Sequence, residues 1–436
     1  MDRFGGFIPA AGTLESSHRA LIWVGIGLVQ ALFLVLLLID PLWALALVFA
    51  LAVVVVSLRY PYALIVGVMA ARLAANRSLS WQLGPMFVGP FEPLFVLAFT
   101  WVLIRSVHER QSRLQDFPAG KLLLALVVWV GLSLGWSGDK GNGSVTFIRI
   151  AYEVVLVWML ASEVRTPRRF HTAIWTWLLV AGVIGVLGII LGTQGTSEAI
   201  YGDVDFQSMS GGGRFGGIGQ HPNWFGMSMA FGINPAFAMA YVERKNWRRW
   251  LLVAIAMVLL IAAISTGSRG AVWGAGVGSF FLALNNERLR RFLYRYWFVI
   301  AISFAVALLF GAGALTSAVC RVATRGLDTF WQGNTRFANW DACYRMCVET
   351  WGLGVGAGAY LQALPRFNER LLLSDSAYPH GIMWDVMAHY GVIGLSLMTA
   401  VALTFVKAFR GAIRAVKGTV VEFWLIGMAA GLVGYG

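Results

Sequence analysis

Charge is what this sequence holds least of: only 13% of its 436 residues are Asp, Glu, Lys or Arg. A soluble domain carries about a quarter, so this chain cannot cover a water-facing surface of that kind. Cysteine is scarce as well, with three in the chain, Cys320, Cys343 and Cys347. That excludes a disulfide-built scaffold and permits at most one bridge, from Cys320 to either partner; small buried hydrophobes are the alternative. No Cys/His cluster has zinc spacing, and no Walker-type or dinucleotide-binding glycine motif occurs. Asp203 and Asp205 form a D-x-D pair of hard oxygens that could hold a divalent cation. Two acids in a polar loop arise readily by chance, so neither a metal nor another cofactor is expected, and activity should survive chelation.

What the chain has in abundance is apolar length. Hydrophobic residues make up 58% of it, and the mean hydropathy is +0.70. They fall in continuous runs over 20–39, 42–56, 60–71, 88–104, 122–136, 147–162, 173–191, 224–242, 251–264, 271–284, 297–315, 382–406 and 420–435. Six reach the roughly 17–25 residues that carry a helix across a hydrocarbon core of about 30 Å, and the rest are 12–16 residues long. Where no water satisfies the backbone, continuous rather than alternating apolar runs mean helices. The expected fold is an all-α polytopic membrane protein of about 12–13 transmembrane helices, one integral membrane domain over 1–436. The first run is too long for a signal-peptide core, and the last runs to the chain end, as in a truncated copy.

The net charge of +13 would suggest nucleic acid in a soluble protein. Here Arg59, Arg105, Arg165, Arg168, Arg169, Arg244, Lys245, Arg248, Arg249, Arg288, Arg290, Arg291, Arg295, Lys407, Arg410, Arg414 and Lys417 fall in every second connection. That alternation marks a cytoplasmic face, with the N-terminus inside, and leaves no call for a nucleic-acid partner. The opposite, extracytoplasmic side has two loops. The first, 192–223, is rich in Gly and Ser; the second, 316–381, is too long for a bare connection. Within it Asn334 can cap a helix beginning near Thr335, which Gly352 and Gly354 stop. Phe337, Trp340, Tyr344 and Cys347 recur at helical spacing, so this surface helix is expected to pack them on the bundle.

Arginine stands out on a side so poor in cations. Arg214 lies among glycines, Arg269 in a tight break between two spans, and Arg336 at the start of the surface helix. The guanidinium stays charged and offers a fork that fits phosphate oxygens. These residues suit a lipid diphosphate, ordinary headgroup contact being the plain alternative. His380 closes the second loop and can act as a general base near neutral pH. Asp385 and His389 follow on a similar helical face, where Asp385 could orient a histidine or pair with an arginine. His221, before Pro222, is a supporting candidate. Glu92, Glu153 and Asp385 are the acids at membrane depth; a transporter would need such groups facing a cavity, whereas Glu92 also suits a helix start.

Several motifs stand in order: Gly213-Arg214-Phe-Gly, His221-Pro-Asn223-Trp-Phe-Gly226, Ser265-Thr-Gly-Ser-Arg269-Gly-Ala271 and Arg336 to Trp340. They continue with Trp351-Gly-Leu-Gly354-Val-Gly356-Ala-Gly358, His380 and Tyr390-Gly391-Val-Ile-Gly394. Over roughly 200–400 the chain resembles the O-antigen ligase family and its relatives, the bacterial O-antigen and exopolysaccharide polymerases. The resemblance implies a metal-independent, inverting glycosyltransferase of the bacterial inner membrane. It would move a glycan from undecaprenyl diphosphate to the sugar hydroxyl of a glycolipid or glycan acceptor, on the extracytoplasmic side. Arg214, Arg269 and, more loosely, Arg336 would hold the diphosphate, and His380 would activate the acceptor hydroxyl. Members often have Asn after that histidine; here it is Gly381. The ligase and the polymerase differ only in acceptor, and a polysaccharide or small-molecule transporter is the reading from another class.

Overall fold

The computed structural model describes residues 61–74, 81–83, 86–88, 91–108, 117–193, 222–285, 287–298, 301–302, 335–368 and 381–435. These are helical apart from connections and one short antiparallel hairpin, β1 (Trp81–Leu83) with β2 (Met86–Val88), pairing Trp81 with Val88. The helices are α1 (Pro61–Ala74), α2 (Phe91–His108), α3 (Gly120–Ser133), α4 (Lys140–Glu163), α5 (Pro167–Thr193), α6 (Pro222–Val242) and α7 (Asn246–Ser265). They continue with α8 (Arg269–Asn285), α9 (Glu287–Arg295), α10 (Thr335–Glu349), α11 (Tyr360–Asn368), α12 (Ile382–Ala415) and α13 (Val420–Tyr435). Five of them, α4, α5, α6, α7 and α12, are long and apolar enough to cross a membrane; α1, α3, α8 and α13 carry shorter apolar stretches. The chain is an all-α membrane protein. The spans expected over 20–39 and 42–56, and most of 297–315, lie outside the described residues.

The helices pack in two groups. One comprises α5, α6, α7, α8, α9 and α13; the other α2, α3, α4, α10, α11 and α12, with α12 and α13 touching between them. Lipid is as apolar as a leucine side chain, so helices here associate by close contact at small residues rather than by escape from water. Gly232 of α6 shows it: a Cβ there would come within 2.6 Å of Leu259 on α7 and 2.8 Å of Trp177 on α5. Gly278 of α8 brings its helix against the Ala430 carbonyl of α13 and the buried Asn234 of α6. Asn234 accepts a 3.0 Å hydrogen bond from Ser279. Beside it Pro235 interrupts α6, removing the donor that would meet the Phe231 carbonyl.

Side-chain contacts fix the helix directions. Trp177 meets Gly232 and Met229 meets Gly185, so α5 and α6 are antiparallel. At the far end of α6, Tyr241 contacts Phe292 of α9 and Phe423 of α13, while Trp424 meets Phe170 and His171 at the start of α5. The same end carries Glu163, which is 1% exposed and joins α2, α4 and α5. Arg105 Nη1 donates to both its carboxylate oxygens at 2.9 and 3.1 Å, and Arg169 Nη1 donates to Oε2 at 3.0 Å. Arg165, Arg168, Arg244, Lys245, Arg248, Arg249, Arg290, Arg291, Arg295, Arg410, Arg414 and Lys417 lie toward this end too. The alternation of charge in sequence thus becomes one basic end of the molecule. Measured from Arg410 up α12 to Gly391, or from Glu163 up α4 to Gly143, the opposite boundary lies about 30 Å away at roughly 1.5 Å per residue, one hydrocarbon thickness.

Candidate functional site

At that opposite boundary α12 is broken. Gly391 has φ +64° and ψ −159°, in the middle of a helix that otherwise runs from Ile382 to Ala415. A break inside a helix frees backbone groups that need other partners, and the segment from Trp351 to Ala359 supplies them. Val355 N–H donates to the Ala388 carbonyl at 2.8 Å and Gly356 N–H to the His389 carbonyl at 2.9 Å. In return Val392 N–H donates to the Gly352 carbonyl at 2.9 Å, and the Trp129 indole of α3 donates to the Tyr390 carbonyl at 2.9 Å. Gly352, Gly354, Gly356 and Gly358, every second residue, all have positive φ. A Cβ on Gly354 would lie 2.7 Å from the His389 carbonyl, and one on Gly391 would overlap the Gly352 carbonyl oxygen. On its other side the segment is pinned to the α3–α4 corner: Trp136 donates to the Gly354 carbonyl, Ser137 to that of Ala357, and Ala357 N–H to Ser133 Oγ.

The first two turns of α12 above the break carry the polar groups. His389 Nδ1 lies 2.9 Å from the Asp385 carbonyl oxygen and 3.3 Å from its carboxylate. Both partners are acceptors, so Nδ1 holds the proton and, in the neutral ring, Nε2 is the accepting nitrogen. The Asp385 carboxylate is half-exposed and the His389 ring nearly buried. The ring centroid of His389 is 5.9 Å from that of Tyr360 on α11, whose hydroxyl donates to buried Asn339 of α10 at 3.2 Å. Beside them burial pushes the Cys343 thiol up to about 12, against a hydrogen bond with Tyr360 that pulls the other way. Burial likewise raises the Tyr360 hydroxyl above its ordinary value. Both groups are neutral at physiological pH. Trp384, on the first turn, stacks nearly parallel on Trp340 of α10, centroids 5.6 Å apart.

Of the two kinds of partner open to Asp385, a histidine or an arginine, the structure puts His389 beside it, four residues on along α12. The surface helix α10 begins at Thr335, but its packing face is a correction. Asn339, Ala342, Cys343, Met346 and Cys347 are buried, whereas Phe337 and Tyr344 of the expected face are exposed. Cys343 and Cys347 are free thiols, and Cys320 lies outside the described residues. Arg336 is the second residue of α10. Arg214, His221 and His380 lie outside the described residues, as do Asp203 and Asp205.

Arg269 is the first residue of α8, directly after the tight break predicted from Ser265-Thr-Gly-Ser. Gly267 has φ +63°, Thr266 Oγ1 donates to the Ala263 carbonyl at 2.7 Å and accepts from Ser268 N–H at 3.1 Å. Ser268 then receives Ala271 N–H at 3.4 Å, capping the new helix. Gly226 of α6 packs on this corner, where a Cβ would come within 2.7 Å of Thr266 Oγ1. Two segments about 40 residues apart in sequence, Pro222 to Gly226 and Ser265 to Ala271, thus meet at the end of the first helix group. Of the acids at depth, Glu92 lies in the first turn of α2, and Glu153 is held by Arg72 at 2.6 Å, with Phe91 and Tyr152 flanking the guanidinium. Among the described residues no three His, Cys, Asp or Glu side chains gather as metal ligands would.

The chain matches no family model and no curated protein.

Proposed function

We propose that this protein is a membrane glycosyltransferase of the O-antigen ligase type, moving a glycan from a lipid diphosphate to an acceptor sugar hydroxyl at the end opposite the basic face. The observation that supports this reading is the pairwise meeting of the resembling motifs. Trp351 to Gly358 locks around Gly391, Gly226 packs on the Ser265 to Ala271 corner, and both contacts fall at the same end of the molecule. Segments this far apart in sequence are closed together there by glycines that admit no side chain, as a site built from several segments of the chain would require. Arg214, Arg269 and Arg336 would neutralise the charge that grows on the departing diphosphate, without reorganising. His380 would take the acceptor proton, and the Asp385–His389 pair would hold the first turns of α12 in place.

The test is the surface glycan profile of a deletion strain, complemented with variants. Loss of the gene should leave finished polymer on its lipid carrier; single unpolymerised repeats would instead mark a polymerase, and an unchanged profile would refute the reading. Arg269→Ala should lower transfer by about 10²-fold or more, as removal of one donor to a developing oxyanion does, and Arg269→Lys should restore only part. His380→Ala should cost about 10²- to 10⁴-fold at unchanged protein level. The wild-type rate should fall at acidic pH, because only the neutral imidazole accepts a proton.

A further inference from the structure

Viewed down its axis, at about 100° per residue, α10 divides into three sectors. Asn339, Ala342, Cys343, Met346 and Cys347 face α11 and α12 and are buried. Asp341, Arg345 and Glu349 form the next sector, charged and internally paired: Asp341 with Arg345, and Glu349 with Arg366 of α11, both at 2.8 Å. The third sector holds Phe337, Trp340, Tyr344 and Val348, and the turn that follows adds Trp351. Tyr344 is 57% and Trp351 94% exposed. A protein-facing sector, a water-facing sector and a large apolar sector on one short helix is the pattern of an element lying at a membrane boundary.

The position of α10 agrees with its pattern. Trp340 stacks on Trp384, Cys343 and Met346 pack near Ala388, and Gly352 sits against Val392, so α10 descends beside α12 toward the break. Trp351 is its lowest point, at the level of Gly391, about 30 Å from the basic end. At that level Val392 and Ile393 of α12 are exposed, as are Leu403, Phe405 and Val406 further along the same helix. Near that level Glu349 is paired with Arg366 of α11. Trp351 itself has φ +56°, a backbone conformation that bulky residues rarely adopt, and it turns the indole out of the protein.

We infer that the lower end of α10, with Val348 and Trp351 deepest and Tyr344 above them, inserts into the interfacial layer of the bilayer, and that its occupant is phospholipid. Trp and Tyr favour that layer because their rings are apolar and their N–H and O–H groups stay wet. The inference stands on geometry alone and holds whether or not the protein transfers glycans. The test places the photocrosslinking residue p-benzoylphenylalanine at Trp351, Val348, Arg345 or Asp341 of the full chain in native membranes, with adducts identified by mass spectrometry. Phospholipid adducts should form at Trp351 and Val348 several-fold more than at Arg345 and Asp341. Peptide adducts at Trp351 and Val348 would show that protein covers the stripe. Absent lipid adducts at all four sites would show that it faces water, and equal adducts at all four that the stripe is not selectively in lipid; any of these results overturns the inference. If a replacement at Trp351 lowers the amount of folded protein, Tyr344 serves as the second apolar reporter, with the same reading.

Discussion

Glu163 is one carboxylate between two guanidiniums, and the imbalance sets what its loss should do. With Arg105 and Arg169 both on a nearly inaccessible acid, the charges are compensated only while the carboxylate is ionised. Glu163→Gln keeps shape and one acceptor but leaves two cations facing each other across α2 and α5. The acid is buried while the guanidiniums are partly exposed, so the loss is smaller than for a fully buried pair, and the purified variant should show a lowered melting temperature. An unchanged melting temperature would mean the arginines are held by other partners. Cys343 gives a gentler test at the same scale. With its thiol raised to about 12 by burial, almost none is thiolate at neutral pH. Iodoacetamide should therefore leave Cys343 unmodified in the folded protein and modify it after unfolding, as read by mass spectrometry.

At the scale of elements the break in α12 is the feature most exposed to test, because one helix holds two glycines with opposite roles. Gly391 adopts a left-handed φ, and any Cβ there overlaps the Gly352 carbonyl; a Cβ on Gly411 meets nothing within 4 Å. Left-handed backbone alone costs an L-residue about 1–2 kcal/mol, and the overlap forces the Trp351–Ala359 segment away from the hydrogen bonds it makes. Gly391→Ala should lower the melting temperature strongly. Gly411→Ala should leave it unchanged or raise it, since Gly inside a helix costs about 0.5–1 kcal/mol relative to Ala. Equal behaviour of the two variants would show that the break contributes nothing to stability.

For the whole molecule, the gathering of basic side chains at one end turns the charge alternation into a statement about sidedness. The rule that basic ends stay in the cytoplasm predicts that Glu109 and Arg290 are inside and that Gln207 and Asp375 are outside. Single cysteines at these positions, in a background lacking the three native ones, should label from opposite sides of the membrane. Labelling of Gln207 and Arg290 from the same side would overturn the span assignment. That result would also move the proposed site, because the Gly391 break and the Ser265 to Ala271 corner share the end opposite Arg290.

The sequence by itself determined what local spacing and solvent chemistry decide. Long apolar runs require helices, α10 starts at Thr335 and stops at the glycines after it, and Ser265-Thr-Gly-Ser makes a capped corner before Arg269. The four-residue interval that lets Asp385 reach a histidine was legible too. Only the tertiary structure decided which face of α10 meets protein. In a membrane both the protein-facing and the lipid-facing sides are apolar, so hydrophobic periodicity cannot separate them. The small and polar residues Asn339, Ala342 and Cys343 pack inward, and the large rings of Phe337 and Tyr344 remain outside. The same holds for Gly391: a lone glycine in an apolar helix is ordinarily tolerated as helix. Its left-handed turn exists because four alternating glycines, about 40 residues earlier in sequence, bring a backbone close enough to satisfy the groups the turn sets free.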